Sequence, residues 1–271
     1  LSETTPNALI TMNKGIGFAG SGDLDNGMSI AYGYTMTDAA FSSSTLKLDM
    51  GDMGVASFAS ESGLTGISAY DDKMPTAGEE VWDDMDGQAN GIATIEDAGT
   101  LGYTNSFGMF GVSLSYNPDA GATTSESSQS IVLTAAPADG VSVFLGIGDK
   151  AGASPSGNST DLQTLGGTYA TGPITVGLQA TRMDSPTAAA DVDRNAAAIS
   201  FAVNENMSVS YGMSIVDFES ASKVDQEDSG FAVSYTMGSM TIAAFANASD
   251  NVGGTSGTDD TVKEISVAFA F

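Results

Sequence analysis

The sequence contains no cysteine and no histidine among its 271 residues. Those absences exclude a disulfide scaffold, thiol catalysis, Cys or His metal sites and the imidazole base of most hydrolytic triads. Lys and Arg together number 8 against 34 Asp plus Glu, a formal net charge of −26. Nothing in such a chain could neutralise a run of phosphates, so nucleic acid is excluded as a partner. Proline is scarce, and no run approaches the roughly 20 consecutive apolar residues of a membrane helix. No signal peptide opens these residues, so any secretory signal is expected to lie outside them. Disorder does not follow from the charge, because 41% of the residues are hydrophobic and they are regularly spaced.

That spacing is the main positive signal. Met207, Val209, Tyr211, Met213 and Ile215 alternate with Ser208, Ser210, Gly212 and Ser214. Side chains of a strand point to opposite faces in turn, so this is a strand with one apolar face and one small, polar face. The pattern recurs in residues 28–36, 110–116, 141–147, 174–178 and 231–237. Weaker copies occupy 8–18, 45–50, 55–60, 98–106, 128–136, 161–170, 195–203, 240–248 and 261–271. Fifteen strands and no helix are predicted. Short links such as those at 51–54, 107–109, 137–140, 171–173, 204–206 and 237–239 read as hairpin turns. Long polar links begin near Asn117, Asp149, Met183, Asp217 and Ser249. Alternation of short and long connections is the layout of an outer-membrane up-and-down barrel, with short turns at one end and loops at the other.

A soluble sandwich, or a solenoid acting as a surface adhesin or structural layer protein, would also alternate. Three features favour the barrel. The second face of each strand carries Ser, Thr, Gly, Ala, Gln and Asn, not the Lys and Glu that protect a solvent face. The aromatics Tyr103, Phe107, Phe110, Tyr116, Tyr169, Phe201 and Phe231 gather near predicted strand ends, as interfacial girdles do. The chain also closes on EISVAFAF, whose Ile265, Val267, Phe269 and Phe271 share one face.

Residues 7–36 (NALITMNKGIGFAGSGDLDNGMSIAYGYTM), residues 48–63 (LDMGDMGVASFASESG) and residues 264–271 (EISVAFAF) resemble the general-diffusion outer-membrane porins, specifically the alphaproteobacterial type. The resemblance implies an all-β fold, a transmembrane antiparallel up-and-down barrel of 16 strands, with the third loop folded into the lumen. It also implies a passive channel for small hydrophilic solutes in the bacterial outer membrane. A homotrimer, contact with outer-membrane lipid and lipopolysaccharide, and reading of the terminal Phe271 by the barrel-assembly machinery are implied likewise. Counting back from residue 271, the strand at 8–18 runs in the same direction as the last one, so a sixteenth strand is expected ahead of it.

Residues 1–271 are read as one barrel domain, within which the link at 61–97 is too long for a hairpin and is read as functional. It carries Asp71, Asp72, Glu79, Glu80, Asp83, Asp84, Asp86, Glu96 and Asp97 against the single base Lys73. By the resemblance this segment narrows the pore; by composition alone it could be a solvated external loop. Asp83, Asp84 and Asp86 are candidates to bind Ca²⁺, although the spacing of the Ca²⁺ helix-loop-helix motif is absent. No organic cofactor is expected. Adjacent acids on one loop are a poor catalytic pair, since a pair needs two differently tuned environments, so no enzyme activity is expected. Trp82 either pins the loop to the wall or contacts solute. By alternation Lys47 and Arg194 face the lumen, whereas Arg182 faces outward and snorkels at the headgroups. The family sets a stack of basic side chains opposite its acidic loop, and these two residues are what remains of it. With further acids such as Glu126, Asp184, Asp193 and Glu227 expected at the mouth, the channel is predicted to prefer cations.

Overall fold

A computed structural model of the chain describes residues 15–37, 40–60, 63–71, 73–83, 85, 99–118, 127–151, 159–187 and 190–270. Fifteen strands run through them: β1 (Gly15–Asp23), β2 (Ser29–Thr37), β3 (Ala40–Asp49), β4 (Val55–Ala59), β5 (Thr100–Phe107), β6 (Phe110–Asn117), β7 (Ser128–Ala138) and β8 (Val141–Lys150), followed by β9 (Thr160–Thr171), β10 (Ile174–Asp184), β11 (Val192–Asn204), β12 (Met207–Phe218), β13 (Gln226–Met237), β14 (Met240–Asp250) and β15 (Asp260–Phe269). They form a single sheet in which every strand pairs with its sequence neighbours. All of these pairings are antiparallel. Each predicted strand has a counterpart in the predicted order, although residues 8–14 of the predicted strand at 8–18 lie outside the described residues and β1 runs on to Asp23. The expected sixteenth strand concerns chain outside the described residues, among which β1 and β15 are not paired with each other.

The apolar rows take the outer face. Leu165, Leu178, Tyr211, Met213 and Ile265 are exposed, while the opposite row contributes buried Ser113, Ser130, Thr164, Ser210 and Ser214. This inverts a soluble protein, and bilayer contact is the environment that makes it stable. Short turns close one end, of five residues between β1 and β2 and between β3 and β4, and of two residues in the five hairpins from β5–β6 to β13–β14. Gly140 (φ +74°) and Gly238 (φ +62°) occupy positions where hairpins of this length need a left-handed backbone. Near this turn end lie Phe107, Phe110, Tyr169 and Phe201, and near the loop end Tyr116 and a tilted Tyr34–Phe41 pair with centroids 5.6 Å apart.

Three expectations need correction. Phe231 is not near a strand end: it pairs with Tyr211 in the middle of the membrane-facing wall. The alternation of short and long links also breaks once, because only two residues separate β2 from β3. The loop-end strands, finally, run past their predicted ends, so that β10 reaches Asp184 and β13 begins at Gln226. Several acids expected at the mouth therefore sit on the wall. Asp184 and Asp193 share the outward row of Arg182, and Glu227 and Asp250 form an outward pair.

Candidate functional site

The described part of the long link between β4 and β5, residues 63–71, 73–83 and 85, turns inward and lies along the wall from β6 to β14. The amide of Gly66 donates to Ser113 Oγ at 2.8 Å, and that of Ile67 to Ser130 Oγ at 2.8 Å. Gln179 Nε2 donates to the Tyr70 carbonyl at 2.6 Å, the Ala77 amide to Ser210 Oγ at 2.9 Å, and Asn247 Nδ2 to the Glu80 carbonyl at 3.0 Å. Small inward hydroxyls and amides thus satisfy the backbone of an irregular segment, which would otherwise be costly to bury.

Apolar contacts complete the docking at two places. Ile67, in a short 3-10 turn (Ile67–Tyr70), packs on Val132, Phe144 and Leu162, with Tyr70 beside them. Further along, Met74, Val81 and Trp82 pack on Ala196 and Ala198. Missing side chains on the wall make the room. A Cβ on Gly146 or Gly148 would come within 3.1 Å of Ile67, one on Gly177 within 2.5 Å of Pro75, and one on Gly212 or Gly230 within 2.9 or 3.0 Å of Val81.

Trp82 lies against the wall. The guanidinium carbon of Arg194 sits 3.8 Å from its ring centroid, and Arg194 Nε donates to Ser214 Oγ at 2.9 Å. Both side chains are buried, at 2% and 3% exposure. Arg194 points inward as alternation predicts, but the indole separates it from the passage. Lys47 is inward and exposed on β3. Arg182 is outward, 2.6 Å from Asp184, 3.6 Å from Asp193 and 3.5 Å from Glu219.

Among the loop acids, Glu79 is exposed, while Asp71, Glu80 and Asp83 are partly buried. Asp83 Oδ2 accepts the Glu80 amide at 3.0 Å and so closes a local turn. Asp72, Asp84, Asp86, Glu96, Asp97 and Phe271 lie outside the described residues. No cluster of metal-ligating side chains occurs among the described ones. Lys73 is exposed, with Nζ 5.2 Å from the Tyr70 ring centroid, and burial pushes the Tyr70 phenol above its ordinary range. The docking residues Val132, Phe144 and Leu162 are not singled out as functional by the sequence reading. Their signal was there: each is a large apolar residue on the row that is otherwise small and polar.

A family model for Gram-negative porins matches residues 2–271. A search of the curated proteins gave no match. Among solved structures, the anion-selective porin from Comamonas acidovorans is 16% identical, with 96% of this chain and 90% of that one covered and a TM-score of 0.71. A porin refined at 1.8 Å resolution is 19% identical, with 95% and 92% covered and a TM-score of 0.71. A triple mutant of the Rhodopseudomonas blastica porin is 16% identical, with 95% and 89% covered and a TM-score of 0.65. At these identities the structures speak for the fold alone, while the family match spans almost the whole sequence. With its bilayer-facing outer wall and its inward-docked loop, the chain belongs to the Gram-negative porin family and is an outer-membrane channel protein.

Proposed function

We propose that segment 61–97 narrows the water-filled passage and that the passage prefers cations. The observation that carries this reading is the row of hydrogen bonds from the loop to inward side chains of β6, β7, β10, β12 and β14. A barrel of this size would otherwise enclose an open aqueous lumen. Asp71, Glu79, Glu80 and Asp83 then face Lys47 and Lys73 with an excess of negative charge, and Trp82 keeps Arg194 out of the balance. The anion selectivity named for the Comamonas porin belongs to that protein.

Zero-current potentials in a KCl gradient test the reading. Exposed charges are screened over about 8 Å at physiological ionic strength and about 3 Å at 1 M. Preference for K⁺ should therefore be clear at ~0.1 M and fade toward 1 M. The triple substitution E79Q, E80Q and D83N should bring the potential toward zero. Equal passage of Cl⁻ and K⁺ by the native channel at low salt would overturn the cation reading.

The remaining family expectations are proposals of the same standing. The whole chain forms one domain and assembles as a homotrimer, seen as a heat-labile band on a gel run without boiling. Its outer surface contacts lipid and lipopolysaccharide, and Asp83, Asp84 and Asp86 take a divalent ion, seen as a Ca²⁺-dependent change in conductance. Removing Phe271 lowers insertion through the barrel-assembly machinery.

A further inference from the structure

Beneath the docked loop, toward the turn end, lies a cavity of about 500 Å³. Its walls are inward side chains: Asp49 at the end of β3, Thr104 of β5, Ser113 of β6 and Thr134 of β7. Its roof is Tyr70 and Lys73 of the loop. In a chain carrying −26 overall, the described residues that line this cavity include one ammonium group, that of Lys73, and one carboxylate, that of Asp49. Lys73 is moreover the single base of segment 61–97. The volume falls in the range of about 300–1,000 Å³ typical of small-molecule sites.

We infer that this vestibule is a transit subsite for small zwitterions, namely free α-amino acids and short peptides. The inference rests on the reading of the loop as the element that shapes the passage. A solute carboxylate meets Lys73, its ammonium meets Asp49, and the three hydroxyls supply hydrogen bonds of either sense. Asp49 Oδ1 accepts the Gly51 amide at 2.9 Å, which fixes the carboxylate and leaves its second oxygen for the solute. The Tyr70 ring packs on Phe144, with centroids 5.2 Å apart, and holds the roof in place. A simple cation would gain Asp49 but approach Lys73, and a simple anion the reverse. A neutral polyol would use the hydroxyls but neither charge. Both charged groups are solvated, so retention is weak, as passage requires: a conducting site must release what it binds.

Proteoliposome swelling tests this, with L-alanine as zwitterion and lactamide as the neutral probe of similar size. The native protein should admit L-alanine faster by roughly two- to fivefold, the factor that solvent-exposed ion pairs supply. Lys73→Gln and Asp49→Asn should each remove the advantage and leave lactamide unchanged. A double variant that exchanges the two charges, D49K with K73D, should restore it, which a merely structural role for either residue would not do. Equal rates for the two solutes in the native protein overturn the inference, whatever the variants do. No swelling with either solute, together with no conductance steps in a planar bilayer, would instead overturn the channel reading beneath it.

Discussion

Replacing Trp82 by alanine should loosen the loop without unfolding the barrel. The indole is 2% exposed and stacks at 3.8 Å on a guanidinium that is itself 3% exposed. A desolvated cation–π contact is worth about 2 kcal/mol, and truncating a buried Trp costs about 3–5 kcal/mol in a rigid core. The loop can relax where a core cannot, so the lower end of that range, about 3 kcal/mol, is the appropriate figure. At about 1.4 kcal/mol per decade, the ratio of undocked to docked loop should rise roughly 100-fold. The strand ladder is untouched, so the heat-modifiable band on a gel should remain. In single-channel records at ~1 M KCl, excursions from the main open level should become far more frequent while that level itself changes little. A second readout follows from Arg194, which the substitution uncovers: the zero-current potential at ~0.1 M KCl should move toward non-selective. Trp82→Phe keeps a ring over the guanidinium and should show a smaller effect on both readouts. Native-like noise and native-like selectivity in Trp82→Ala would refute the view that this stack anchors the loop.

Other substitutions separate the covered wall from the open one. Gly177→Val would bring a Cβ to 2.5 Å from Pro75, pushing the loop across the lumen, so conductance should fall; Gly33→Ala, where a Cβ meets nothing within 4 Å, should leave it close to native. Lys47→Gln should strengthen the cation preference measured at ~0.1 M KCl, whereas Arg182→Gln should not change it, because Arg182 faces outward among Asp184, Asp193 and Glu219. Ser113→Ala removes the acceptor of the Gly66 amide; leaving a buried amide unpaired costs about 1–3 kcal/mol, and the expected result is a noisier channel with an unchanged heat-modifiable band.

The strands were legible because a bilayer imposes a simple rule. Every outward residue must be apolar across a band about 25 Å tall, and the alternation in residues 207–215 obeys it without a break. The same rule explains why the loop-end boundaries were misjudged. Outward side chains turn polar where the wall rises out of the apolar band, but the hydrogen-bonded ladder continues. Asp149 still pairs with Asp161, and Asp161 with Asp184, although Asp149 and Asp184 read as loop. Period two reports the solvent around a strand, and the strand itself extends further. The bulge between Ala202 and Asn204 is another feature that no alternation reveals, since it inserts a residue without changing which kinds are present.

The loop's course was less legible, because it depends on contacts between residues distant in sequence, yet the inward row carries its trace. Where an inward position bears a large apolar residue, as at Val132, Phe144 and Leu162, something other than water must cover it. Where glycines replace the usual Ser or Thr, as at Gly146, Gly148, Gly212 and Gly230, the loop has room to come close, whereas at Gly33 on the open wall nothing lies within 4 Å. The apolar residues that the loop covers lie on β7 to β9, and the glycines that it approaches lie on β5 (Gly102, beside Thr65), β8, β10, β12 and β13. The inward rows of β1 to β3 contain Gly17, Ala19, Ser21, Ala31, Gly33, Thr45 and Lys47, a small and polar surface suited to water. The loop therefore has landing sites on one side only, and the passage is left to the other. That division also sorts the charges: Arg194 falls on the covered side, beneath Trp82, while Lys47 on β3 and Glu264, inward on β15, fall on the open side. Charge counted over the whole lumen would weight these three residues alike, whereas a solute passing along the open wall meets only two of them.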